Sequence, residues 1–310
     1  MRVAFVGNFL VPYSTESHHA AVWESLGWEV IRLQENATTT DAVIAACKGA
    51  QLFQWTSTHG WSFGGSVSQH EMVQKIRDLG VPSFSYHLDL YWNLNQLDRR
   101  QDRIGVHPSW QLDWFFSTDG GDHPWKERGV NHVWMPPGVV DSGVYRGEFN
   151  QPLASDVGFV GSIGYHPEFR YRTQLIENLK SHYGSRFRTY AGMRERALNS
   201  CYASIKCVVG DHCFSTNPDL KYWSDRLPET LGRGGWMVYP RVAGLEEFIT
   251  HGLDTYNAGN FQELYSKTDY WLDPAHDAEK EQRRASLMDY VKQNHTYSVR
   301  LKEILRVIGL

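Results

Sequence analysis

The sequence predicts an α/β protein made of two Rossmann-like, doubly wound domains. Short apolar runs alternate with amphipathic segments along most of the chain, and glycine closes many of the joins between them. The alternation stops at residues 136–156, which are rich in Pro, Gly, Ser and Asp, and then restarts. The 310 residues are also enough for two domains of roughly 150 residues each.

Strand and helix signals alternate from the N terminus of the first half. The strand-like runs are VAFVG, WEVIRL, AQLFQWT, VPSFSYH, WFFSTD and HVWMPP. The helix-like segments are HHAAVWESLG, TTTDAVIAACKGA with threonine cap candidates, and HEMVQKIRDLG, whereas DLYWNLNQLDRRQDR is helical or irregular. Because parallel strands are buried on both faces, continuous apolar runs of this kind predict a parallel sheet.

The second half repeats the same order. DVGFVGSIG, RFRTYAG and SIKCVVGD are strand-like, and EFRYRTQLIENLKSHYG and MRERALNSCYA are helix-like. RLPETLGRGGWMVYPRVAGLEEF then predicts a helix, a glycine turn, a buried strand and the start of another helix. The last segment, from EKEQRR to the end, is strongly helical. Its apolar positions share one face: Tyr297, Leu301, Ile304, Leu305 and Ile308.

Composition excludes several protein classes. The formal net charge is −4 and the pI is near 6.4, so no global basic field indicates nucleic acid or an anionic membrane as partner. Four cysteines at 47, 201, 207 and 213 lack zinc-type spacing, which favours free thiols in a reducing cytoplasm. The start predicts a strand and not a signal peptide, and no apolar segment is long enough for a membrane span.

Two facing doubly wound domains enclose a central cleft at the carboxyl ends of their strands, where such sheets bind ligands. A nucleotide-sugar transferase, a periplasmic-type binding protein and a two-domain dehydrogenase or isomerase all fit this outline. The binding protein requires an export signal. The dehydrogenase requires a GxGxxG after a strand, and neither VGNFLVPYS nor VGSIGYHP matches it. These patterns favour the transferase.

The second half also resembles a known family. FVGSIG followed by EFRYR, then SDRLPETLGRGGWMVYPRVAGLEEFI and HTYSVRLKEIL, are similar to the CgeB-type spore-maturation branch of the group 1 glycosyltransferases, and YHLDLYW and VNHVWMPPGVVDSGVY resemble it more loosely. The resemblance implies the GT-B fold. It also implies a nucleoside-diphosphate sugar as co-substrate, in particular a UDP-sugar, with no metal or other cofactor.

By this resemblance, Glu229 binds the ribose hydroxyl groups of the nucleotide. A carboxylate can accept two hydroxyl donors at once. Gly244 and Leu245, at the start of the helix LEEFI, are expected near the diphosphate, because a helix N terminus offers free N–H groups. Gly161 and Ser162 of FVGSIG are expected in the same donor site.

Cations are expected at the diphosphate, where negative charge develops as the sugar leaves. The candidates are Arg170, with Arg172 beside it, Arg226 and Lys221. Lys221 also marks a departure from the family. Many retaining relatives carry a second glutamate eight positions before the one that matches Glu229, and Lys221 stands there. The donor sugar and the choice between retaining and inverting chemistry therefore stay open.

In the first domain, polar residues follow the predicted strands. His87 and Asp89 of YHLDLYW come after VPSFSY and are the catalytic candidates, as base, as orienter of the acceptor hydroxyl or as contacts of the donor sugar. Further candidates on this edge are Gly7, Asn8, His18, His59 and Asp119.

The sequence thus predicts a cytoplasmic, metal-independent glycosyltransferase with residues 1–145 on the acceptor side, 146–290 on the donor side, and a helix at 291–310 that packs back on the first domain. The acceptor is a glycan, a protein or small molecule, or a hydroxymethylated pyrimidine in DNA. The DNA alternative requires a basic, aromatic rim, for which the candidates are Arg99, Arg100, Arg103, Trp92 and Trp110. A non-catalytic nucleotide-binding protein is the third possibility.

Overall fold

The computed structural model contains two compact units. The first comprises Met1–Met135 and Tyr297–Leu310, and the second comprises Pro136–Thr296. The structure describes residues 1–57, 62–88, 105–120, 122–164, 170–212, 219 and 221–310, and at 122–124 and 170 it describes the backbone alone. Residues 136–145, which the sequence assigns to the first domain, pack within the second unit.

The first unit contains a six-stranded sheet in which every described strand pair is parallel. Its strands are β1 (Arg2–Gly7), β2 (Glu29–Gln34), β3 (Leu52–Trp55), β4 (Ser83–His87), β5 (Trp114–Ser117) and β6 (His132–Trp134). They lie in the order β2-β1-β3-β4-β5-β6. The strand order therefore reverses between β1 and β3, which is the topological switch point of this sheet.

The helices of this unit pack around the sheet. They are α1 (Thr15–Ser25), α2 (Thr40–Cys47), α3 (Gln69–Asp78) and α4 (Asp122–Glu127). Hydroxyl side chains of Ser14, Thr39 and Ser68 accept N–H groups in the first turns of α1, α2 and α3, which satisfies donors that a helix start leaves open. The predicted threonine cap of α2 is thus Thr39. The segment DLYWNLNQLDRRQDR lies outside the described residues.

The second unit contains a five-stranded sheet whose described strand pairs are also parallel. Its strands are β7 (Ser155–Val160), β8 (Phe187–Tyr190), β9 (Ile205–Val209), β10 (Met237–Pro240) and β11 (Asp254–Tyr256). The order is β11-β10-β9-β7-β8, so the switch point lies between β7 and β9. The predicted fold class, two doubly wound α/β domains, is confirmed.

Helices flank this second sheet as well. They are α5 (Arg170–Tyr183), α6 (Glu195–Ser204), α7 (Arg226–Gly232), α8 (Glu246–Thr250), α9 (Phe261–Leu272) and α10 (Asp277–Asn294). Gly234 has a φ of +74°, which turns the chain from α7 toward β10. Trp236 is fully buried there, 4.5 Å from the ring of Trp271. RLPETLGRGGWMVYPRVAGLEEF therefore forms the predicted helix, glycine turn, buried strand and helix.

The C-terminal segment forms two helices. After α10 the helix breaks at His295 and Thr296, and α11 (Tyr297–Ile308) belongs to the first unit. On its apolar face Tyr297, Leu301 and Ile304 are buried. The ring of Tyr297 packs edge-on against His19 of α1 at 4.8 Å. Single turns of 3-10 helix occur at Pro108–Gln111, Asp141–Gly143, Gln151–Leu153, Gly184–Arg186 and Pro274–His276. No helix in the described ranges is long and apolar enough to cross a membrane.

The break between α10 and α11 coincides with a close backbone contact. The N–H of Val139 donates to the carbonyl oxygen of His295 at 2.9 Å, and Val139 forms an isolated parallel bridge with Thr296. A Cβ at Gly138 would lie 2.6 Å from the same His295 oxygen. Only glycine fits this approach, because the obstacle is backbone and cannot turn away.

Gly138→Ala is expected to lower the free energy of unfolding by about 1–3 kcal/mol, because the added methyl group forces the two segments apart. The measurement is the urea midpoint followed by circular dichroism. Gly64→Ala is the matched control, since a Cβ there meets nothing within 4 Å, and its midpoint should stay near the original. Equal midpoints for the two variants would contradict the close-contact explanation.

Candidate functional site

The polar residues of the second unit gather where β7 and β9 end. Gly161 and Ser162 follow β7, and Gly210 and Asp211 follow β9. Because these two strands are direct neighbours and parallel, their carboxyl ends meet at the same edge of the sheet. This edge is the switch point, where doubly wound sheets bind ligands.

Asp211 lies between two arginines. Its carboxylate accepts a hydrogen bond from Nε of Arg172 at 2.5 Å and forms an ion pair with Nη1 of Arg226. The exposed fractions of the side chains are 3% for Asp211, 9% for Arg172 and 10% for Arg226. The guanidinium carbon of Arg172 lies 5.8 Å from the ring centre of Phe159 and that of Arg226 4.8 Å from it. We refer to Arg172, Asp211 and Arg226 as the arginine cluster.

The arginine cluster is attached to the end of β7 and to the loop that follows it. Nη1 of Arg172 donates to the carbonyl oxygen of Ser162 at 2.9 Å, and Nε of Arg226 donates to that of Val160 at 2.7 Å. Gly161, between them, has a φ of +144°, and a Cβ there would lie 2.6 Å from Nη2 of Arg226. Glycine is needed at 161 both for its backbone conformation and for the space that the guanidinium group occupies.

The arginine cluster carries a net positive charge. Burial alone would raise the pKa of Asp211, but the charges of Arg226 and Arg172 outweigh it and hold the pKa below its ordinary value. His212 adds no charge, because burial lowers its pKa to about 4 against the opposing effect of Asp211. Two guanidinium groups and one carboxylate leave one positive charge, fixed in position and largely removed from water. Such a group is suited to binding an anion.

Glu229 is placed on the same helix as Arg226, three residues later, so both side chains project from one side of α7. Its carboxylate forms an ion pair with Arg233, one turn further on, and the Glu229 side chain is 19% exposed. Burial raises the pKa of Glu229, and the charge of Arg233 opposes that shift. Glu229 is thus held in place and still reaches solvent.

The other donor-site candidates have different surroundings. Arg170 is the first residue of α5, and its side chain is not described. Lys221 is exposed. Leu245 is buried, and the N–H of Gly244 donates to the Glu246 carboxylate at 3.2 Å. The N–H group of Gly244, which the sequence predicts near the diphosphate, is therefore already bonded to the carboxylate of Glu246.

In the first unit, His87 ends β4 and Gly7 ends β1. His87 is buried, and its Nε2 lies 3.1 Å from the carbonyl oxygen of Ser57, just beyond β3. Since a carbonyl oxygen can only accept, Nε2 is the donor of this hydrogen bond. A Cβ at Gly7 would lie 2.8 Å from Cγ of Glu16, and the Asn8 side chain accepts the N–H of Leu10. The three candidates share the carboxyl edge of the first sheet.

The remaining acceptor-side candidates differ in how deeply they are buried. His18 is half-buried on α1, with its ring 6.1 Å from that of Tyr297, and Asp119 is fully buried beyond β5. Trp110 is buried and stacks on Phe115 at 3.8 Å, so its ring cannot stack on a flipped base. Several candidates lie outside the described residues: Asp89, His59, Trp92, Arg99, Arg100 and Arg103.

Sequence reasoning missed Asp211 and Arg233. Asp211 was visible as the acidic residue that ends SIKCVVGD, but nothing in the sequence shows that β9 lies next to β7. Arg233 was visible only as a charge inside a glycine cluster. Within the described ranges, no three His, Cys, Asp or Glu side chains come together as metal ligands would.

Comparison with known proteins finds a family match in the second half of the chain. A family model described as Glycosyl transferase-like matches residues 170–306, a range that holds the whole arginine cluster and Glu229. The match covers less than half of the chain. No curated protein sequence matches the chain.

Solved structures match over the whole length. HepE of Anabaena, in complex with UDP and glucose, has a TM-score of 0.61 at 11% identity, over 100% of this chain and 99% of that one. Sucrose-phosphate synthase of Thermosynechococcus elongatus has a TM-score of 0.64 at 11% identity, with coverage of 100% and 99%. An alpha-glucosyltransferase in complex with UDP and a 13-mer DNA containing an HMU base has a TM-score of 0.60 at 10% identity, with full coverage of both chains.

These similarities define the class of fold. The chain has the GT-B fold of glycosyltransferases, as the resemblance implied. At identities near one in ten they establish the fold alone. Neither they nor the family model distinguish the CgeB-type branch, which stays a prediction.

Asp211→Asn is expected to lower the free energy of unfolding by about 3–5 kcal/mol at pH 7, because it leaves two buried guanidinium groups without their counter-charge. The contribution of Asp211 is present above its unfolded pKa of about 3.8 and disappears as the pH falls through the lower folded value. As the pH is lowered below 5, the free energy of unfolding measured with denaturant should therefore fall less in the variant than in the original protein.

Asp156→Asn is the matched control for this change. Asp156 also binds two cations, Arg186 and Lys206, each at 2.7 Å, but all three side chains reach solvent. Its replacement should cost about 1 kcal/mol or less. Similar losses for the two aspartates would show that the arginine cluster has no special electrostatic role.

Proposed function

We propose that the protein is a glycosyltransferase that takes its sugar from a nucleoside-diphosphate sugar bound in the second unit. The observation that carries this proposal is the arginine cluster at the switch point of the second sheet. It provides a fixed positive charge beside the Gly161–Ser162 loop. The family model and the fold support the same class of reaction.

The proposed chemistry requires positive charge at the leaving group. When a sugar leaves its diphosphate, the sugar becomes oxocarbenium-like and the departing phosphate gains negative charge. Arg172 and Arg226 are held by Asp211 before the substrate arrives, so little reorganisation is needed when that charge develops. Guanidinium groups also match phosphate oxygens in geometry. In this proposal the arginines supply the charge, and transfer does not require a metal.

We propose UDP as the nucleotide and the ribose as the partner of Glu229. Glu229 is three residues from Arg226 on α7, which suits a ligand whose diphosphate and ribose are adjacent. Two of the similar proteins were solved with UDP, and HepE also with UDP-glucose. Lys221, where relatives carry a glutamate, keeps the sugar and the stereochemistry open.

For the acceptor, we propose a hydroxyl group of a glycan or small molecule. The alternative is a hydroxymethylated base in DNA, which one similar protein binds. That alternative needs aromatic side chains for a flipped base, and Trp110 is buried in the core of the first unit. Retention of HMU-containing duplex DNA on a filter, lost as salt is raised, would favour DNA instead.

UDP at a hundredfold excess over its Kd should raise the melting temperature by roughly 5–10 °C, since it binds the folded protein alone. Arg226→Met should weaken UDP binding more than tenfold, because it removes a charged partner of the diphosphate. Arg186→Met is the control, because that arginine pairs with Asp156 and lies away from the arginine cluster. Differential scanning fluorimetry and titration calorimetry measure both effects.

The proposal fails if no nucleoside diphosphate among UDP, GDP, ADP and TDP stabilises the protein. A non-catalytic nucleotide-binding role has a separate signature. In that case UDP binds and Arg226→Met weakens it, but UDP-sugars are neither hydrolysed nor used for transfer over long incubation.

His87→Gln should lower kcat for sugar transfer at least tenfold and leave UDP affinity within a factor of about two. The reason is that His87 ends β4 at the carboxyl edge of the first sheet, on the proposed acceptor side, whereas UDP is proposed to bind the second unit. Steady-state kinetics and calorimetry on the same preparation measure both. An unchanged kcat would remove His87 from the proposed mechanism.

A further inference from the structure

Arg233 is a buried arginine just past the end of α7, and it lies outside the arginine cluster. It is 3% exposed, and its guanidinium group makes three polar contacts. It forms an ion pair with the Glu229 carboxylate, donates to the side-chain oxygen of Asn199, and donates to the carbonyl oxygen of Glu195 at 3.4 Å. A Cβ at Gly143 would lie 2.7 Å from its Nη2, so that glycine makes room for it.

Asn199 fixes the orientation of Arg233. Asn199 is fully buried, and its Nδ2 donates to the carbonyl oxygens of Gly143 at 2.9 Å and Tyr145 at 2.6 Å. A side-chain amide has two N–H donors, and here both are used, so its oxygen must face Arg233. A flipped amide would set an N–H group against the guanidinium group.

Glu195, whose carbonyl oxygen accepts from Arg233, has an unusual backbone conformation. Glu195 has a φ of +47°, in the left-handed region that non-glycine residues seldom adopt. Its carbonyl oxygen is one of the three acceptors of Arg233. Strain of this kind persists only where the surrounding structure imposes it.

Arg233 favours the ionised form of Glu229. Burial raises the pKa of Glu229, and Arg233 is the main group that opposes the shift. The other charged or titratable groups that act on Glu229 are Asp225 just before α7, Arg194 just before α6 and Tyr202 on α6. A carboxylate accepts two hydroxyl groups at once, whereas a protonated carboxyl group loses part of that capacity.

We infer that Arg233 is a positioning residue for nucleotide recognition, which holds the Glu229 carboxylate for the vicinal hydroxyl groups of a ribose. The inference rests on the proposed function, in which Glu229 binds the ribose. It adds that ribose is distinguished from deoxyribose through Arg233, a residue that does not itself touch the nucleotide. Lysine cannot take its place, because one ammonium group lacks the planar fork that reaches three acceptors.

The test compares the affinities of UDP and 2′-deoxy-UDP by calorimetry between pH 6 and pH 9. The ratio of the two affinities is the readout, because titration of the diphosphate affects both ligands and cancels. The original protein should prefer UDP about tenfold or more over this whole range, since one charge-assisted hydrogen bond is lost with the 2′-hydroxyl. Arg233→Met should reduce the ratio to about one to three, most strongly at the lowest pH, because without the arginine nothing of similar strength opposes the rise that burial causes in the pKa of Glu229.

Further variants test whether the preference for UDP depends on the contact between Glu229 and Arg233. Glu229→Gln should lose the preference with no dependence on pH, and adding Arg233→Met to it should change the ratio no further, because both act through one contact. Arg196→Met is the matched arginine control on α6. Arg196 is exposed and pairs with Glu148 at 3.6 Å, so the preference should persist.

If the Arg233→Met variant keeps the original preference for UDP over 2′-deoxy-UDP at every pH, the inference is overturned and the proposed function stays intact. If the original protein binds no UDP at all, the proposed function falls and the inference with it. If Arg233→Met does not fold, Arg233→Lys decides the question. A reduced ratio in that variant supports the inference, and an unchanged ratio overturns it.

Discussion

The polar edge of the second unit depends on one buried carboxylate. Without Asp211, the guanidinium groups of Arg172 and Arg226 would repel each other in a site that excludes most water. With it, each arginine also donates an N–H group to a carbonyl oxygen, Arg226 at the end of β7 and Arg172 in the loop that follows. The conformation of Gly161, the neighbouring positions of β7 and β9, and the direction of both arginines therefore support one another.

Helix α7 connects this edge to a second polar network. Arg226 at its start belongs to the arginine cluster, and Arg233 just past its end belongs to the Glu229–Asn199 network. The other face of the helix is apolar, with Leu227 and Leu231 fully buried. A helix of only seven residues has little stability of its own, so anchors at both ends and a buried face keep it in place.

Much of this fold could be predicted because strands buried on both faces leave continuous apolar runs, as VAFVG does for β1. The break at His295 could not, because it coincides with a bridge to Val139, which is far away in the sequence. In the site, too, local features could be predicted and those that depend on distant contacts could not. Gly161, Ser162 and Arg226 were predicted from local motifs and lie together, whereas Asp211 depends on the order of the strands, which no local motif encodes.

The arginine cluster is assembled from distant parts of the chain. Asp211 lies 39 residues from Arg172 and 15 from Arg226. No short segment of a nascent or unfolded chain can hold these groups together, so an anion that binds them binds the native second unit alone. Such a ligand shifts the folding equilibrium toward the native state by mass action. If that anion is the proposed nucleotide, its free concentration in a cell would help to set how much of this protein survives proteolysis, in addition to how fast it works.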